Sequence, residues 1–132
     1  MFKWSLCEIF GQNTQPEIYE VHDMWKLIRH KNGYQILGEL LSYMEERRQN
    51  EDRWVSAIRS GKTPLHFIYG PSDPINPPPF ERFYKEIIFN ASIDSLNGIG
   101  HYVQIEAPKQ MIHSYFNWMK KNGFLEQIIY NN

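Results

Sequence analysis

The chain has 132 residues, of which 42% are hydrophobic, 15% aromatic and 22% charged, with a formal net charge of −1. That length suits one domain or one part of a larger domain, and the apolar content excludes a disordered chain. Near-zero charge argues against nucleic acid or an anionic membrane as partner, the single Cys7 excludes an intrachain disulfide, and no run approaches the ~18 apolar residues of a membrane helix.

Residues 1–10 (MFKWSLCEIF) lack the apolar core and cleavage site of a signal peptide. Ile18, Val21, Trp25 and Ile28 recur at helical spacing, and Gly33 is placed to stop that helix. A second apolar stripe follows at Ile36, Leu37, Leu40, Leu41 and Met44. The mixed-sign run Glu45–Arg53 predicts a solvated helix end, and Trp54, Val55 and Ile58 mark a short further helix ending near Gly61. Leu65–Tyr69 lies between a proline and a glycine and predicts a short strand covered on both faces. Phe80–Phe89 predicts a helix, Ala91–Leu96 a second strand, and Pro108 the first residue of a helix carrying Ile112, Tyr115, Phe116 and Met119. Strand, helix, strand, helix in that order is an α/β unit with parallel strands. Two strands seldom make a stable sheet, and residues 1–62 offer no convincing others, so the expected fold is the C-terminal part of something larger.

Chemistry concentrates after the two strands. In open parallel sheets, functional groups gather beyond the carboxyl ends of the strands. Asp73 follows the first strand in "HFIYGPSDPINP", and His101 follows the second in "GIGHYVQIEAP". Gly98 and Gly100 are expected to give the His101 loop freedom to bring its ring to the carboxylate. A carboxylate accepting the Nδ1 proton fixes the imidazole tautomer and leaves Nε2 as general base. Taken singly, Asp73 in an Asp-Pro pair is a turn residue and His101 a surface histidine. Together, in this order, they predict the acid and base of a catalytic triad.

No nucleophile accompanies them. Ser5, Ser42, Ser56, Ser60 and Ser72 all lack the flanking glycines of a G-x-S-x-G elbow, and Asp23, Asp52 and Cys7 fare no better. The isolated chain is therefore expected to be inactive. "SGKT" at 60–63 lacks the first glycine of a phosphate loop and is followed by Pro64. His22, His30, His66, His101 and His113 show no metal-ligand spacing, so neither a metal nor a cofactor is expected. His66 reads as an alternating strand residue and His113 as a helix-surface one. Glu106 is expected to sit at the positive start of the last helix and, with Gln104, to organise the loop. Asp94, inside the second strand, is worse placed than Asp73 for the acid.

"HFIYGPSDPINP" followed by "GIGHYVQIEAP" resembles the last two strands of the α/β-hydrolase fold. "HDMWKLIRHKNG" and "RWVSAI" before them are similar to the mesoderm-specific transcript family, a branch near the epoxide hydrolases and haloalkane dehalogenases. The similarity runs from about Phe10 to Met119. It implies that residues 1–50 are the end of a helical cap and that 51–132 are the βαβα end of the core. Trp25 and Tyr34 would then face substrate or pack the cap. It implies cleavage of an ester, epoxide or carbon–halogen bond in a small molecule, and leans towards an aspartate nucleophile. It also allows attachment to the endoplasmic reticulum membrane through sequence upstream of this chain. The alternative expectation is a non-catalytic protein-binding form, self-associating through the exposed edge of the first strand.

Overall fold

A computed structural model of the protein describes residues 2–126, with the backbone alone described for Phe2, Lys3 and Trp4. Helix α1 (Phe2–Cys7) leads through a turned segment into α2 (Ile18–Arg29). The backbone N–H of Glu17 donates to the Glu20 carboxylate (2.8 Å), which holds the start of α2. The helix stops before the glycine expected to end it. Lys31 and Asn32 take up left-handed backbone (φ 49° and 63°), so the break falls at residues 30–32 rather than at Gly33. A 3₁₀ stretch (His30–Ile36) and the short α3 (Leu37–Leu40) follow, then α4 (Tyr43–Ser60), which Gly61 closes. The run Glu45–Arg53 and the Trp54–Ile58 stripe are therefore one continuous helix, and the expected division between residues 50 and 51 lies inside it. A salt bridge one helical turn apart, Arg48 to Glu45 at 2.6 Å, lies on its exposed surface.

The strands form where expected. β1 (His66–Tyr69) and β2 (Ser92–Ser95) pair in parallel, with His66 opposite Ser92 and Tyr69 opposite Ser95. Helix α5 (Pro79–Ile87) joins them, and Phe80 and Tyr84 pack their rings on Phe67 with centroids 5.6 and 5.1 Å apart. After β2 come the one-turn α6 (Val103–Glu106) and α7 (Pro108–Lys121), which packs against β1. Alternation along β1 sends Phe67 and Tyr69 towards α5 and leaves His66 and Ile68 for the opposite face.

The apolar core has two centres. Leu6, Phe10 and Val21 gather Met24, Tyr102 and Ile105 around them, while Ile99, Val103 and Ala107 gather Ile68, Leu96 and Met111. The first centre joins the N-terminal segment to the loop after β2. The stripe Ile36, Leu37, Leu40, Leu41 and Met44 lies exposed, and so do Ile112, Tyr115 and Phe116 on α7. The face of α7 that is buried carries Ser114 and Met119 instead, with Met111 and Trp118 half-buried beside them. That face meets His66 on β1, to which Ser114 offers its hydroxyl and Trp118 its ring.

His66 is more than an alternating strand residue. Its Nδ1 lies 2.8 Å from Ser92 Oγ and its Nε2 lies 3.2 Å from Ser114 Oγ, and Trp118 stacks on the ring at 5.2 Å. The Ser114 hydroxyl donates to Asp94 Oδ2. Having spent its only proton there, Ser114 accepts from His66 Nε2–H. The chain runs from half-buried Ser92 through His66 and buried Ser114 to exposed Asp94, and it ties β1, β2 and α7 together.

Candidate active site

Asp73 reaches the site through a turn that its own side chain builds. β1 ends at buried Tyr69, whose hydroxyl donates to the Asn76 carbonyl (2.5 Å). The Asp73 N–H donates to the Gly70 carbonyl (3.0 Å), and Asp73 Oδ1 accepts the Ile75 N–H (2.7 Å). That last bond is an Asx turn, for which Asp followed by Pro74 is a natural sequence. Asp73 Oδ2 accepts from Asn76 Nδ2 (2.9 Å) and from His101 Nδ1 (2.9 Å). The turn reading of Asp73 and the acid reading thus describe the same residue using different lone pairs.

The His101 loop comes from the neighbouring strand. The Leu96 N–H donates to the Tyr69 carbonyl (2.7 Å), which carries the parallel ladder past β2, and the Ser72 N–H donates to the Ile99 carbonyl (2.9 Å). Gly98 turns at φ +81°, a conformation that favours glycine. Gly100 has a different task from the freedom expected of it. A Cβ there would lie 2.5 Å from the Gly11 nitrogen and 2.6 Å from the Ile9 carbonyl oxygen, so its hydrogen is what lets the N-terminal segment close on the loop. The His101 N–H then donates to Ile9 O (2.8 Å).

The electrostatics follow from these contacts. Asp73 is 5% exposed. Burial is the largest single influence and pushes its carboxyl up. The hydrogen bonds from His101, from the Asn76 side chain and from the backbone of Ile75 and Asn76 together outweigh it, and hold Asp73 below the usual carboxylate range. A carboxylate can only accept, so His101 carries its proton on Nδ1. The His101 side chain is 32% exposed, with the Tyr102 ring edge-on at 5.1 Å, and its Nε2 makes no hydrogen bond with any described residue. An imidazole fixed in this tautomer, with an accessible second nitrogen, can take a proton from a hydroxyl or a water.

Other residues singled out from the sequence lie elsewhere. Asp94 bonds Ser114, Tyr34 is 45% exposed, and Trp25 is half-buried on α2. His113 sits on the surface of α7 against Asn117 (2.8 Å). Among the described residues no group of histidine, cysteine and acidic side chains could hold a metal ion, and no helix is long and apolar enough to cross a membrane. Glu106 does not serve the start of α7. It closes α6 and turns its carboxylate back onto the loop amides. Sequence reasoning missed Asn76, although Asn three residues after Asp in "DPIN" is a turn signal. It also missed Ile9, Gly11 and Thr14, whose pairing with residues 100–106 has no local signal at all.

No protein-family model matches the chain, and no solved structure matches significantly. Over 121 residues, 90% of this chain, it is 37% identical to the mesoderm-specific transcript protein of Mus musculus and 36% identical to its homologue in Homo sapiens, covering 36% of each. It is also 36% identical over 108 residues to a Mycobacterium tuberculosis protein named as a hydrolase, LipZ, matching 82% of this chain and 38% of that protein. The chain spans little more than a third of the length of these relatives.

Proposed function

We propose that this chain, a homologue of the mesoderm-specific transcript proteins, is the C-terminal portion of an α/β-hydrolase and contributes the acid and base of a nucleophile–histidine–acid triad. The 2.9 Å contact between Asp73 Oδ2 and His101 Nδ1, just beyond the carboxyl ends of two parallel strands, carries this reading. The relative named as a hydrolase favours it too. In the complete protein Asp73 orients His101 and stabilises its imidazolium, and the helices from α2 to α4 belong to a cap over the site. The nucleophile belongs to sequence outside this chain. If it is a serine, Nε2 takes the hydroxyl proton as Oγ adds to an ester carbonyl, and the imidazolium returns that proton to the departing alcohol. If it is an aspartate, the carboxylate displaces halide or opens an epoxide, and Nε2 then deprotonates the water that cleaves the resulting ester.

The test is a chimera in which this chain replaces the segment it matches in LipZ, assayed beside unaltered LipZ on ester, epoxide and haloalkane substrates. His101→Ala and Asp73→Asn should each lower turnover by about 10³- to 10⁴-fold. Undiminished turnover in either variant refutes the assignment. The isolated chain should be inactive, and a purified sample with His101-dependent turnover would contradict that part.

A second reading, a non-catalytic module that binds by strand addition, draws on one observation. Among the described residues β1 is paired along only one edge, although helices cover both of its faces. Light scattering on a sizing column should then give a mass above the 15.8 kDa monomer that rises with concentration. A monomer at every concentration removes this reading.

A further inference from the structure

We propose that Glu106 is the positioning residue of the His101 base and that it ties residues 9–14 to that base. The inference rests on the Asp73–His101 reading and adds to it the group that decides where the imidazole stands.

Four donors converge on this one half-buried carboxylate. Glu106 Oε2 accepts from the Gly11 N–H (2.8 Å), the Thr14 hydroxyl (2.6 Å) and the Gly100 N–H (2.7 Å), while Oε1 accepts from the Tyr102 N–H (3.0 Å). Gly100 and Tyr102 flank His101 in the chain, so the carboxylate holds the peptide on both sides of the histidine. The remaining backbone donor, His101 N–H, goes to Ile9 O (2.8 Å). With those three amides anchored, the imidazole has only its two side-chain torsions left, and Asp73 takes up Nδ1. Three of the four charge-assisted bonds crowd Oε2 and the fourth takes Oε1, so the carboxylate is committed to the loop amides around His101 and acts through that residue.

The same carboxylate joins two parts of the chain that are far apart in sequence. Thr14 and Gly11 form one turn, closed by the Thr14 N–H on the Gly11 carbonyl (3.1 Å) and secured by Gln15 Nε2 on the same oxygen (3.0 Å). Phe10 packs on Tyr102 (5.2 Å), and Tyr102 on His101 (5.1 Å). A Cβ on Gly11 would lie 2.1 Å from the Gly98 carbonyl oxygen and 3.1 Å from Glu106 Oε2, so the backbone closes directly around the carboxylate. Displacing residues 9–14 therefore pulls on the amides that set His101.

The experiment is nitrogen-15 NMR on the whole chain, reading the His101 imidazole nitrogens for tautomer and amide exchange for local opening. Glu106→Gln keeps the shape but presents an N–H₂ where one oxygen stood, setting donor against donor at either Tyr102 or the Gly11–Thr14–Gly100 group. Exchange at Gly100 and Tyr102 should rise by roughly 10-fold or more. The imidazole should pass from a single Nδ1–H tautomer to a mixture, with α7 amides unchanged as an internal control. Faster exchange with an unchanged imidazole would make Glu106 a loop staple only and overturn the proposal, as would no change at all. Should α7 also lose protection, Thr14→Val decides, because it keeps the carboxylate and removes one donor: a shifted tautomer supports the tie and an unshifted one refutes it. Asp73→Asn separates the two layers. A single tautomer surviving in that variant defeats the Asp73–His101 reading itself, whereas a mixture there and none in Glu106→Gln defeats the role of Glu106 alone.

Discussion

Replacing Asp73 by Asn changes one atom of a buried side chain and should destabilise the protein in a pH-dependent way. The carboxylate accepts Ile75 N–H on one oxygen and both Asn76 Nδ2 and His101 Nδ1 on the other. An amide can keep the Ile75 bond, but its N–H₂ then faces two donors. Each bond to a charged acceptor contributes about 1.5–3 kcal/mol, offset by the cost of burying the charge, which the amide avoids. A net loss of about 2 kcal/mol follows, and for a chain of this size it lowers Tm by roughly 6–10 °C. The sign with pH comes from the depressed carboxyl of the folded state. Its contribution is complete above the unfolded pKa of about 3.9 and is lost as pH falls through the lower folded value. Urea melts of both proteins at pH 7 and at pH 3 should therefore show a gap at neutral pH that narrows once pH falls below about 4. Equal stability at neutral pH, or a gap that persists undiminished at pH 3, refutes the claim that Asp73 is a hydrogen-bonded carboxylate.

Gly70→Ala should be among the most damaging single changes, because the new Cβ would lie 2.2 Å from Gly100 O and 2.6 Å from Ile99 O, both backbone atoms that cannot step aside. A loss of about 3 kcal/mol or more in urea unfolding is expected, and a variant within about 1 kcal/mol of the parent shows that the two loops do not meet this closely. Ser114→Ala removes the hydroxyl that links His66 Nε2 to Asp94, on a His66 side chain that is 6% exposed, and leaves only the more distant Asp94 carboxylate (3.5 Å) as acceptor. It should cost about 1–3 kcal/mol. An unchanged thermal melt means that the His66 network does not hold α7 to the sheet.

Much of the site was legible because its chemistry is written locally. A short apolar run that ends at a glycine is a strand end, and Asp followed by Pro is a turn that its own carboxylate can close. The order acid then histidine, each placed after a strand, led to a 2.9 Å pair. The similarity read from "HDMWKLIRHKNG" and "RWVSAI" is matched by relatives 36% and 37% identical over 90% of the chain. Errors arose where local signals were taken too far. Gly33 was a plausible helix stop, but Lys31 and Asn32 accept left-handed backbone first. The helix expected to start at Pro108 and carry Ile112, Tyr115 and Phe116 is α7, though periodicity could not say which neighbour, if any, would cover those residues.

By itself the sequence determined the strands, their parallel order, the Asp73 turn and the lack of a nucleophile elbow, since each depends on residues within a few positions of one another. Only the tertiary structure decided that His66 would be buried in a polar chain with Ser92, Ser114 and Asp94, and that Gly100 would admit Ile9. It alone brought Glu106 to Gly11, 95 residues away. A hydrogen bond between such distant residues leaves no period and no turn signature. It exists because polar groups taken out of water must find partners, and which partners they find is settled by how the elements pack.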